Sequence, residues 1–366
     1  MDKIYDRVYI GTGPINLIDA YLRNNKGESV AMIDSKSRIG GAWVAIPVGD
    51  FGHLEIGCHI WSYNKKVYNF LKKLLDLHLV SLKPQPYFLN GSTKLIYDHK
   101  NLLLTSRRLT KDIFTAHFGS VVKFIKHDPS ARLPIFPKTY KYPSGGAREL
   151  QLKLEKLIKS TSTDIFLNNE VQELIYKDGI WTVKGEDGSF VKSKKIVVTA
   201  TSHMKKIKYK DVVVDLNYSF LTYTHFHIVV SGDVKKKISY VRVLNHDHIH
   251  RISDITNQLK STTVNETVLL VGVFDDKIAE WGSDEQAAKK IIEYLNQKGF
   301  LDASNKMLYF QKNRFPTAYI HGDQWAVINN LHPSIHLNAT TDLMYGLHYK
   351  LRDWKKEGLL ERRDKK

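Results

Sequence analysis

The stretch Val8-Tyr9-Ile10-Gly11-Thr12-Gly13-Pro14-Ile15-Asn16 decides the reading of this chain. Three apolar residues run into a glycine pair. From Pro14 to Leu22 the apolar residues then recur with a helical period, and Gly27 closes the helix. Ser29 to Ile33 reads as the next strand, ending at Asp34. Strand, glycine turn, helix and strand in this order form the βαβ unit of a nucleotide-binding sheet. Gly11 permits the tight turn, and Gly13 lets the backbone approach a pyrophosphate. The first helical turn at Pro14 and Ile15 offers free N–H groups and a partial positive charge. Asp34, followed by Ser35, places a carboxylate where a ribose diol is bound. Asn16 stands where the third glycine of the fingerprint is usual, so a looser fit of helix on strand is expected.

Just beyond Asp34 comes Ser37-Arg38-Ile39-Gly40-Gly41-Ala42-Trp43. Gly40 and Gly41 give a second loop of close approach, with Ala42 and Trp43 after it. FAD needs such a loop, because its flavin half passes on toward a second domain; a fold that binds only NAD does not. The expected cofactor is therefore FAD, with its ADP half held by the first third of the chain.

Further out, Lys65 to Val80 reads as an amphipathic helix and Leu150 to Ile158 as another, after Pro143-Ser144-Gly145-Gly146. Ile165-Phe166-Leu167 and Ile196-Val197-Val198 read as strands, with a hairpin around Glu186-Asp187-Gly188 between them. From 206 to 314 strand-like pieces dominate (Thr224 to Ser231, Ser239 to Leu244, Val268 to Val273), interrupted by a helix at 284–298. A strand at Ile335-His336-Leu337 and a helix from Asp342 to Glu357 close the chain. The expected fold is α/β: a Rossmann-type FAD-binding domain, a parallel sheet with helices, interrupted by a sheet-containing α+β substrate domain. The expected division is 1–90, 141–205 and 315–366 for the first, and 91–140 and 206–314 for the second.

These blocks resemble the FAD domain of the flavin amine oxidase superfamily, which includes UDP-galactopyranose mutase-like proteins. The resemblance continues in Gly57-Cys58-His59-Ile60-Trp61, which in the mutases has a counterpart beside the flavin. It implies that the backbone near Val171 meets the adenine and that Thr341 and Asp342 begin the last flavin-contacting helix. It also implies a place for His59 near the flavin ring, where imidazole could bond the flavin or carry a proton. Arg251, in Ile249-His250-Arg251-Ile252, resembles a mutase arginine that faces a sugar-nucleotide diphosphate, and its planar fork suits phosphate. Arg314, Tyr319, Trp325 and Tyr345 are candidates to line a substrate cavity. The implied activity is FAD-dependent oxidation of a small, anionic substrate by hydride transfer to flavin. A mutase-like isomerisation of a sugar nucleotide and a flavin-binding protein without catalysis stay open as alternatives. The catalytic candidates are His59, Arg251 and Tyr345.

No second Gly-x-Gly-x-x-Gly follows a later strand; Leu269-Leu270-Val271-Gly272-Val273 has a single glycine. Electrons would come from the substrate, or from NAD(P)H held without a motif. His246, His248 and His250 alternate on one strand face, but without cysteines or a carboxylate set no metal site is expected. Cys58 is the only cysteine, so FAD is expected to be non-covalent and the compartment reducing. The chain has 366 residues and a net charge of +17, a field that favours anionic ligands. The expected partner is a small molecule, phosphorylated or nucleotide-linked. The lysines are spread and no nucleic-acid module is present, so nucleic acid is not expected. With no apolar run long enough to span a bilayer and a strand beginning almost at once, a cytoplasmic protein without a membrane segment is expected. Oligomeric state is left open.

Overall fold

The computed structural model describes residues 3–57, 61–62, 64–82, 86–89, 96–97, 140–199, 204–216, 218–235, 240–244, 248–256, 265–320, 322–338 and 343–360. Apolar four-residue runs build its first sheet. Arg7–Ile10 pairs in parallel with Val30–Ile33 on one side and Ile196–Thr199 on the other. Asp164–Phe166 extends the sheet beyond Val30–Ile33, and Ile335–Asn338 extends it beyond Ile196–Thr199, again in parallel. In chain order the five strands lie third, second, first, fourth, fifth. That is the doubly wound order, and its switch point falls between Arg7–Ile10 and Ile196–Thr199.

Both faces of this sheet are covered, which is why its central strands are mostly apolar on both faces. Helix Pro14–Asn24 packs on one face, with Gly146–Lys159 and Leu343–Lys356 beside it. The other face contributes Val8, Ile10, Ala31, Ile33, Ile196 and Val198 to a core shared with Leu174, Trp181, Val183 and Ile207. Those last four belong to a six-stranded mixed sheet in the order Ile4–Tyr5, Phe190–Ser193, Ile180–Gly185, Val171–Lys177, Lys206–Tyr209, Val212–Asp215.

The chain divides into two units: Met1–Leu79, Pro143–Tyr223 and Arg314–Lys366 form one; Val80–Tyr142 and Thr224–Asn313 form the other. Residues 206–215, read from sequence as the start of the second domain, lie in the first. Lys206–Tyr209 pairs in parallel with Val171–Lys177, which holds this segment to the mixed sheet. The second unit holds a seven-stranded sheet that includes Tyr218–Ser231, Glu266–Phe274, Ile249–Asp254 and Tyr240–Leu244 in adjacent positions. Helix Asp284–Gln297, started by a Ser283–Gln286 capping box, seals one face of it.

Two helices end differently from their sequence pattern. Lys65–Leu75 stops five residues short of Val80, because Asp76 takes a left-handed conformation at φ 49°. Leu79–Leu82 is then a strand. Gly146–Lys159 starts earlier than Leu150, directly at the glycine pair.

Candidate functional site

The switch point is where the glycine turn lies. Gly11 has φ +98°, and a Cβ there would stand 2.5 Å from the Thr199 hydroxyl of the neighbouring strand. Gly13 differs: its backbone is extended, and an added Cβ would meet nothing within 4 Å. Gly13 is the N-cap of helix Pro14–Asn24, whose first turn has no side-chain cap and no acidic residue. Pro14, Ile15 and Asn16 are buried. A buried helix start with uncapped N–H groups, opening onto free space at Gly13, has the properties of an anion cradle.

The second glycine loop lies directly against the first. Gly40 N–H donates to the Thr12 carbonyl at 3.1 Å, and a Cβ on Gly41 would come within 3.3 Å of Gly13 Cα. Gly41 and Ala42 are exposed, Gly40 is buried, and Ser35 and Trp43 are half-buried. Trp43 tilts toward buried Trp61, with ring centroids 6.0 Å apart.

Asp34 is 9% exposed and fixes the loop from beneath. Its Oδ2 accepts from Thr12 N at 2.8 Å and from Thr12 Oγ1 at 2.6 Å, and its Oδ1 accepts from Lys36 N at 2.9 Å. One acceptor direction on Oδ1 is left for a ligand hydroxyl. Segment 166–169 wraps the same residue: Asp34 N donates to Phe166 O, and Asn169 N donates to Asp34 O. Val171, buried, follows at the start of its strand. Gly11, Gly13, Asp34, Gly40 and Gly41 are thus brought together, with Val171 two residues beyond the segment that touches Asp34.

Asn16 does not loosen the turn. It is 1% exposed, donates from Nδ2 to the Gly11 carbonyl at 2.9 Å, and accepts at Oδ1 from Asn338 Nδ2 at 2.6 Å. A polar bridge between the turn and the last strand does what a missing side chain does in the usual fingerprint.

Sequence reasoning passed over Thr12, Asn338, Arg38 and Arg148. Arg38 Nη1 donates to Ala45 O at 3.4 Å, and Arg148 Nη1 to Gln151 Oε1 at 3.5 Å. Neither has a carboxylate partner among the described residues. Burial, and then the neighbouring Arg148 charge, hold the Arg38 guanidinium below its ordinary pKa. An anion beside it would favour its charged form. The signal was in the sequence, since Arg38 sits inside the quoted second loop and Arg148 just after Gly145-Gly146. The loop and helix start, the two arginines and the remaining Asp34 acceptor all fit the pyrophosphate and ribose of FAD.

The other predicted residues belong to other elements or fall outside the described residues. His59, Thr341 and Asp342 are outside them. Tyr345 is 49% exposed on helix Leu343–Lys356 and its hydroxyl accepts from Tyr349 at 3.0 Å. Tyr319 belongs to strand Met307–Ile320, and Trp325 to helix Gly322–Leu331. Arg314 is exposed. Arg251 lies in the second unit, where its Nη2 donates to Nε2 of His225 at 2.5 Å. Of the alternating histidines, His246 is outside the described residues. His248 stacks on Trp281 at 4.6 Å and bonds Glu280 at 3.1 Å, while His250 leans on Phe274 at 5.0 Å.

No protein-family model and no curated protein matches the chain. Solved structures do. The chain is similar to wild-type putrescine oxidase bound to putrescine, with 13% identity, a TM-score of 0.65, and 98% of this chain and 100% of that chain covered. It is similar to cyclohexylamine oxidase from Brevibacterium oxydans IH-35A, with 12% identity, a TM-score of 0.64, and 92% and 93% covered. At this level of identity the likeness shows a shared fold.

Proposed function

We propose that this chain is an FAD-dependent oxidoreductase of the amine oxidase type, acting on a small substrate. The observation that carries the reading is the pair of stacked glycine loops over an uncapped helix start. Gly13 and the N–H groups of Ile15 and Asn16 would hold the pyrophosphate, with Arg38 and Arg148 supplying countercharge. The free acceptor on Asp34 would take the ribose diol, and the backbone around Val171 the adenine. Gly40, Gly41, Ala42 and Trp43 would lead the cofactor onward.

When bound, FAD supplies a two-electron hydride acceptor. The chain's own part is to hold, orient and exclude water. His59 is assigned a proton-handling role, and Thr341, Asp342 and Tyr345 a place at the flavin end, on the family resemblance. A single nucleotide fingerprint favours the substrate itself as the electron source over a nicotinamide.

The test is anaerobic mixing of FAD-loaded protein with a panel of amines and amino acids. The expected result is loss of flavin absorbance with at least one of them, and peroxide release when air is admitted. A flavin that stays oxidised throughout, in a protein that isomerises a nucleotide sugar after dithionite reduction, would replace this reading with the mutase one.

A further inference from the structure

We propose that Asn338 is a positioning residue for the cofactor turn, acting through Asn16, and that it couples the last strand of the parallel sheet to the pyrophosphate site. The proposal rests on the FAD-binding reading of that turn.

The peptide between Gly11 and Thr12 is gripped at both ends. Its N–H, that of Thr12, donates to Asp34 Oδ2 at 2.8 Å. Its carbonyl, that of Gly11, accepts from Asn16 Nδ2 at 2.9 Å. On either side, Gly11 N donates to Ile33 O at 2.7 Å, and Thr12 O accepts from Gly40 N at 3.1 Å. Every backbone polar group from Gly11 N to Thr12 O is therefore answered inside the protein. The N–H groups of the helix start that follows Gly13 are left for an anion.

Three of those partners can present only one kind of group. Two are backbone groups, and an ionised carboxylate only accepts. Asn16 is different, because its amide has a donor end and an acceptor end. Turned over, it would set Oδ1 against the Gly11 carbonyl, two acceptors with no proton between them. Asn338 decides the orientation. With Nδ2 of Asn16 on Gly11 O, Oδ1 is left on the far side, where it accepts from Asn338 Nδ2 at 2.6 Å. Asn16 is 1% exposed and Asn338 8%, so the pair is shielded from the water that would otherwise satisfy either amide end.

The position of Asn338 gives this bond reach. Ile335 enters the core on one face of the sheet, so strand alternation puts Asn338 on the other face. Helix Pro14–Asn24 packs there, with Asn16 in its first turn. Ile335–Asn338 is the last strand of the five, beside Ile196–Thr199. Its docking is what brings the Asn338 amide to the turn. Coupling of this kind is reciprocal: if the docked strand strengthens FAD binding, bound FAD strengthens the docking by the same factor.

The experiment titrates flavin-free protein with FAD in wild type, Asn338→Leu, Asn16→Ala and the double variant, with circular dichroism to confirm that each is folded. Asn338→Leu keeps the bulk and removes the donor, and should weaken FAD binding roughly tenfold or more. In the Asn16→Ala background the same change should move the affinity less than about threefold, because the amide that Asn338 orients is gone. Hydrogen exchange of the amides in Ile335–Asn338 is then measured with and without saturating FAD. FAD should slow it in wild type and not in Asn16→Ala. If Asn338→Leu fails to fold, this second comparison decides alone. Equal FAD affinity in wild type and Asn338→Leu, the same loss in both backgrounds, or equal FAD protection of the strand in wild type and Asn16→Ala would overturn the proposal and leave the FAD reading standing. A folded wild type that takes up no FAD would overturn both.

Discussion

A side chain at Gly13 and a side chain at Gly11 should do opposite things. At Gly13 the backbone is extended and the space beyond it is open, so Gly13→Val should leave the melting temperature within a few degrees while abolishing FAD retention. At Gly11 the positive φ and the Thr199 hydroxyl 2.5 Å from any Cβ make Gly11→Ala a folding lesion of about 1–3 kcal/mol. Thermal melts and flavin content of the two variants check this; a destabilised Gly13→Val that keeps its FAD would contradict it. At this scale the sequence was partly legible. The glycines and Asp34 announce themselves by spacing. Asn16 does not, because its partner Asn338 is 322 residues away and nothing local shows that a polar bridge replaces the third glycine. Arg38 was quoted in its loop and not assigned, since an isolated arginine in sequence carries no sign of burial or of Arg148 beside it.

Between elements, the first and last helices of the first unit are joined by one buried carboxylate. Asp19 accepts from Tyr9 Oη at 2.7 Å, from Arg23 Nε at 3.1 Å and from Trp354 Nε1 at 2.6 Å. Arg23 reaches on to Glu28 and Glu357. Burial acts to lower the Arg23 pKa, but Asp19, Tyr9 and Glu357 together outweigh it and the group is firmly charged. Asp19→Ala would leave three donors without their acceptor, while Arg23 keeps Glu28 and Glu357, and should cost about 1–3 kcal/mol in denaturant unfolding. A loss below about 1 kcal/mol would mean that the helices do not depend on this junction. Periodicity found both helices, because their apolar stripes are local. It carried Lys65–Leu75 too far, because Leu77 and Leu79 keep the apolar pattern after Asp76 has turned the backbone. It found the apolar strands of the parallel sheet and passed over Val171–Lys177, whose half-polar residues are settled by pairing on both sides.

At the scale of the molecule, three separated blocks of sequence supply one parallel sheet, and its strand order puts the glycine turn at the switch point. The first two strands and their helix were legible as a unit; the order of the other three follows from long-range pairing that no local pattern encodes. The account stands on that sheet holding FAD. Its most direct test is titration of flavin-free protein with FAD, followed by tryptophan quenching and by the absorbance of cofactor released on denaturation. The predicted result is saturable binding of one FAD per chain, released intact on unfolding, and lost in Gly13→Val. A protein that is folded yet takes up no FAD would contradict the account.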